Sequence, residues 1–132
     1  MNRKIVFSGT LIGMLAIIFG AFGAHALKKV INIPELATFE IGVRYQIYHS
    51  FFLLFLGINS LISDKRKEII YYLTIAGVFL FSGSLYLLAI SRVALIDFRP
   101  LGFVTPIGGA LLIMAWGVLS VSFLSKKNIS KI

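Results

Sequence analysis

A chain of 132 residues of which 58% are hydrophobic and 14% charged falls well short of the roughly 25% charged residues of an ordinary soluble domain, and its mean hydropathy of +0.95 requires lipid as solvent. The lack of cysteine excludes disulfides, thiolate metal sites, iron–sulfur ligation and cysteine nucleophiles. The net charge of +8 is carried by short basic clusters between apolar runs; membrane topology and anionic headgroups account for these, and no basic face is left for nucleic acid.

Residues 5–26 form the first apolar run, after Arg3 and Lys4, and at the α-helical rise they span about 33 Å, enough for the hydrocarbon core. Basic start, apolar stretch and Ala24-His25-Ala26 also mimic a secretory signal, but even counted only to Phe22 the stretch is 18 residues, beyond the usual 7–15 or so. A transmembrane helix is the expectation. In 28–44, Pro34 and Glu35 suit a first helical turn and Leu36, Phe39, Val43 and Ile47 follow at near-helical spacing, which predicts a short interfacial helix running into the second span. That second span, 45–62, is the most polar, with Gln46, His49, Ser50, Asn59 and Ser60. A third covers 69–90, opening with Tyr71 and Tyr72 at headgroup level. The fourth covers 104–124 and is followed by Lys126 and Lys127. The predicted fold is all-α: one membrane domain over 1–132, a bundle of four transmembrane helices with the interfacial helix between the first and second.

The N-terminus, the 63–68 loop and the C-terminus carry Arg3, Lys4, Lys65, Arg66, Lys67, Lys126, Lys127 and Lys131, eight basic residues. The other two loops carry five: Lys28, Lys29, Arg44, Arg92 and Arg99. This bias places both termini on the cytoplasmic side of the membrane. All five acids, Glu35, Glu40, Asp64, Glu68 and Asp97, fall in predicted loops, so no carboxylate is expected mid-membrane for a proton or cation relay. Exporters of the small multidrug resistance kind are of similar size but depend on such an acid.

Gly9, Gly13, Ala16 and Gly20 recur at spacings of 4, 3 and 4 and form one narrow helical stripe, a packing seam where backbones approach closely. Gly83, within Phe81-Ser82-Gly83-Ser84, and Gly108 and Gly109, after Pro106, read as further packing positions.

His25 and His49 are the two histidines, and the predicted spans put both near one membrane surface. Tyr45, His49, Leu53, Leu56 and Ser60 share a helical face, which turns His49 into the bundle. The candidate polar cluster is His25, Arg44, Tyr45, Gln46, His49, Tyr86 and Thr105. One use of His49 is structural, a hydrogen bond to a backbone carbonyl or Tyr86; the other is chemical, as in bis-histidine haem ligation. A zinc site would need Glu35 or Glu40 as third ligand, at no recognised spacing. No catalytic residue, metal set or cofactor is expected.

Gly20–Lys28 (GAFGAHALK), Gly42–His49 (GVRYQIYH), Phe81–Tyr86 (FSGSLY) and Thr105–Gly109 (TPIGG) with Trp116 together resemble the small bacterial inner-membrane proteins of domain of unknown function 423, related to eukaryotic transmembrane protein 256. The resemblance runs nearly the full length. It implies four transmembrane helices and no established biochemical activity, and it singles out His25, Tyr45, Gln46, His49 and the TPIGG segment without giving them a role.

The functional expectation is a non-enzymatic accessory or assembly partner in the membrane, or a lipid-associated factor. Its partners would be the bilayer and a membrane protein or a second copy of the chain. The alternatives are a small-solute carrier or channel, or a haem- or quinone-associated protein using His25 and His49.

Overall fold

The computed structural model describes residues 1–124. Four helices carry the fold: α1 (Asn2–His25), α2 (Ile33–Ile58), α3 (Asp64–Ala94) and α4 (Val104–Leu124). Each is long and apolar enough to cross a membrane. Short 3-10 turns at Leu27–Lys29 and Arg99–Phe103 make the connections at one end of the bundle. The N-terminus lies at the other end.

The second helix departs most from the sequence expectation. The interfacial segment and the second span are one continuous helix of 26 residues, about 39 Å long. Its start is fixed by a capping box: Glu35 N donates to Asn32 Oδ1 and Asn32 N donates to Glu35 Oε1, both at 2.9 Å. Pro34 in the first turn suits the preset helical φ. The helix ends at Ile58, not 62, because Asn59 turns extended and its Oδ1 accepts from Leu61 N at 2.8 Å.

Two earlier placements change with this start. Glu35 and Glu40 belong to α2, and Asp64 and Glu68 to the first turns of α3, so Asp97 alone of the five acids stays in a loop. Arg44 likewise moves from a loop into the body of α2.

Consecutive helices pack in order, α1 on α2, α2 on α3 and α3 on α4. The glycine stripe of α1 meets α2. A Cβ on Gly9 would lie 3.1 Å from Ser50 O and one on Gly13 2.5 Å from Ser50 Oγ, while Ala16 is buried and Gly20 faces Val43. Gly57 and Gly23 seat Val6 and Phe39 at the two ends of the same antiparallel pair. In the α3–α4 pair, Gly108 lies against the Phe81 backbone and Gly77 against Leu112. Gly109 makes ordinary contact with Phe81. Gly83 is no packing position, because a Cβ there would meet nothing within 4 Å.

An apolar cluster including Ile5, Leu53, Leu56, Ile70 and Ala115 fills the end near the N-terminus, and a smaller one of Leu27, Ile31, Phe39 and Ala89 fills the opposite end. Between them lies a layer of polar side chains.

Candidate functional site

That middle layer is built by residues of α2 and α3 reaching carbonyls of neighbouring helices. Gln46 Nε2 donates to Ile12 O at 3.0 Å, Ser50 Oγ to Gly9 O at 2.8 Å, and Ser82 Oγ to Gly42 O at 2.7 Å. A serine can reach such a carbonyl because a glycine on the facing helix lets the backbones close. Tyr86 OH donates to Gln46 Oε1 at 2.5 Å, so Gln46 joins α1, α2 and α3. Gly42 makes room for the Tyr86 ring, with its Cβ position 2.7 Å from Tyr86 Cε1. Phe19 and Phe39 pack on that ring at centroid distances of 5.2 and 4.9 Å.

His49 is buried and fully engaged. Trp116 Nε1 donates to His49 Nε2 at 3.2 Å, and His49 Nδ1 bonds Tyr45 O at 2.7 Å. Indole nitrogen is a donor only, so Nε2 accepts and Nδ1 carries the proton. The ring is neutral in this arrangement. Phe52 packs on Trp116 at 4.5 Å between centroids. Thr105 joins α4 to α3 through a 2.6 Å bond with Ser84 Oγ.

The predicted cluster therefore divides. Gln46 and Tyr86 meet, His49 and Tyr45 meet through the Tyr45 carbonyl, and Thr105 meets Ser84. His25 does not join them. It is exposed at the end of α1, where Gly23 touches Phe39, and His49 lies ten residues, about 15 Å, further along α2. The reason is the early start of α2, which puts His49 in mid-helix instead of one turn from a surface. Bis-histidine ligation fails on the same geometry, since both nitrogens of His49 are committed. Arg44 is exposed and makes no hydrogen bond or ion pair among the described residues. Glu40, one turn before it, is also exposed and has no partner among the described residues. No group of His, Asp and Glu able to hold a metal occurs among the described residues.

Two ion pairs lie in the connections opposite the N-terminus. Arg92 Nη2 bonds Glu35 Oε1 at 2.8 Å and Val30 O at 3.4 Å, tying the end of α3 to the α2 cap. Arg99 pairs with Asp97 at 2.9 Å, and its guanidinium holds that carboxyl below the usual carboxylate range.

Sequence reasoning did not find the cleft of about 470 Å³ between α1 and α3, floored by α2. Leu11, Leu15, Ile75, Val78 and Phe79 wall it, and Gln46, Ser82 and Tyr86 contribute polar atoms. At the cleft's end toward the N-terminus Ser8 bonds Tyr71 at 2.8 Å, and one turn further out, beyond the lining, Lys4 Nζ donates to Tyr72 OH at 2.9 Å. Phe19 against Tyr86 closes the other end. Serine and tyrosine inside apolar runs were the readable signal, but which of them face each other depends on helix rotation.

Four antiparallel apolar helices joined by short turns, with polar side chains satisfied inside, define a small multi-pass membrane protein. The chain belongs to the family described as "Protein of unknown function (DUF423)", which matches residues 19–109. A UPF0382 membrane protein of Staphylococcus saprophyticus is 37% identical over 119 residues, covering 90% of this chain and 95% of the relative. The UPF0382 membrane protein YwdK of Bacillus subtilis is 34% identical, covering 91% and 95%. The UPF0382 inner membrane protein YgdD of Escherichia coli K12 is 32% identical, covering 96% and 94%. No solved structure matches the chain.

Proposed function

We propose that the protein is a non-enzymatic accessory factor of the bacterial inner membrane, with both termini cytoplasmic, that acts by holding the apolar chain of a membrane lipid between α1 and α3. The observation that carries this reading is the cleft itself, with apolar walls and a volume of about 470 Å³, within the range of roughly 300–1,000 Å³ typical of small-ligand sites. Its polar atoms are already hydrogen-bonded to one another or to backbone, which suits retention of an inert chain better than chemistry on it. Lys4, one turn before Ser8 toward the N-terminus and beside Tyr72, offers a cation for an anionic headgroup on that side. The basic bias of the N-terminus and the 63–68 loop supports the cytoplasmic assignment of that end.

A lipid with a photoreactive acyl chain, incorporated into membranes holding the protein, tests the reading. Adducts are expected on Leu11, Leu15 and Ile75, and Gly83→Trp should abolish them by filling the cleft while leaving the melting temperature unchanged. Labelling spread evenly over outward positions such as Ile17 and Ile113 would overturn it.

A further inference from the structure

We propose that the protein pairs with a second copy of itself through the exposed face of α2, with Glu40 of each copy bonded to Arg44 of the other. The proposal goes beyond the cleft, which lies between α1 and α3. Arg44 is the eleventh residue after Ile33 and the fourteenth before Ile58, about 16 and 21 Å from the two ends of the helix. The Glu35–Arg92 pair marks one end of the bundle, and Arg44 lies about 13 Å deeper along α2, inside a hydrocarbon core about 30 Å thick. Glu40 lies between the two levels. Ionisable groups at such depth face a bundle interior or a partner. Here both are exposed, and no described residue pairs with either.

The surrounding surface has the form of a helix seam. Ile41, Arg44, Tyr48, Phe51, Phe55 and Ile58 are all exposed, at successive spacings of 3, 4, 3, 4 and 3. This period of 3.5 residues keeps one stripe facing a partner helix that crosses at a shallow left-handed angle. Ile58 is 77% exposed and Phe51 65%, whereas Ile41 and Phe55 are partly covered within the chain, so the open part of the stripe centres on Phe51 and Ile58. The charges select the partner. One face carries both members of an ion pair, one turn apart, and a two-fold axis along the membrane normal makes such a face complementary to itself. Each interface then contains two reciprocal Glu40–Arg44 bonds. A different protein would have to supply its own acid and base at matching heights.

The chain has no cysteine, so single-cysteine scanning of α2 in native membranes can read the contact directly. Oxidation should give disulfide-linked dimers with Tyr48→Cys, Phe51→Cys and Phe55→Cys. Ile47→Cys and Leu54→Cys, on the side facing α1, and Ile17→Cys on α1 should give none. In the Phe51→Cys background, Arg44→Glu or Glu40→Arg alone should lose most of the crosslinked dimer, and the double exchange should restore it. Crosslinking without the 3-4 period, or a single-molecule bleaching count of one copy per complex in vesicles, would overturn the proposal. So would a stoichiometric protein of another kind crosslinked to Phe51. The cysteine scan leaves both charges in place, so it decides the matter even where the charge variants do not fold.

Discussion

Trp116 on α4 donates its indole N–H to the Nε2 of His49 on α2 across 3.2 Å, and this one bond sets the proton on the opposite ring nitrogen. Nδ1–H then donates to Tyr45 O. A protonated ring would set one N–H against another. His49 is therefore a neutral strut between two helices. Trp116→Phe keeps most of the packing on Phe52 but orphans Nε2, and His49→Ala removes both bonds and leaves a void. The expected losses are about 1–3 kcal/mol for an unsatisfied buried group and at least as much for His49→Ala. Thermal melts in detergent check the order.

Gly13 and Gly83 make a matched pair for testing which glycines are packed. Gly13→Leu drives a side chain into Ser50, whose Oγ lies 2.5 Å from the new Cβ and bonds Gly9 O. The expected cost is about 1–3 kcal/mol, as for overpacking. Gly83→Leu points into the cleft and should leave the melting temperature within error or raise it slightly, since glycine is a poor helix former. Equal losses for the two variants would remove the distinction.

The existence and number of the helices were legible because lipid demands long apolar runs with internally satisfied backbones. The boundary of α2 was obscured by its own polar residues. Glu40 and Arg44 interrupt the apolar pattern, so the span appeared to begin after them, although Asn32 and Glu35 already stood at capping-box spacing. The inward turn of His49 was readable from its shared face with Leu53 and Leu56. Its partner Trp116 was not, because the separation of 67 residues is bridged by the packing of α4. The Gln46–Tyr86 bond was hidden in the same way. A span that begins at 45 puts His49 at the same depth as His25, and the true start of α2 at Ile33 separates them.

The Glu35–Arg92 pair should matter little to stability despite joining two helices. The Arg92 side chain is 60% exposed, and exposed pairs contribute about 0–1 kcal/mol. Arg92→Ala should lower stability by less than about 1 kcal/mol. Gly42→Val should cost more, because its side chain would displace the Tyr86 ring that holds Gln46. Chemical-denaturant titration of both variants in the same detergent gives the comparison.

Topology follows from charge and can be tested without altering the bundle. Asn32 and Ser63 are both exposed, in connections at opposite ends: Asn32 caps α2 and Ser63 precedes α3. With no native cysteine, Asn32→Cys and Ser63→Cys each offer one thiol. Lys65, Arg66 and Lys67 follow Ser63 and Asp64 in the first turn of α3, and Lys and Arg close to the ends of spans stay on the cytoplasmic side. Ser63→Cys should therefore resist a membrane-impermeant maleimide in intact cells and react after permeabilisation, whereas Asn32→Cys should react in both. Because Asn32 Oδ1 caps the helix, Asn32→Cys should also lower stability by about 0.5–2 kcal/mol, so Val30→Cys, exposed in the same connection, serves as its control. If Ser63→Cys is labelled in intact cells and Val30→Cys is not, the termini lie outside, and Lys4 faces the opposite leaflet.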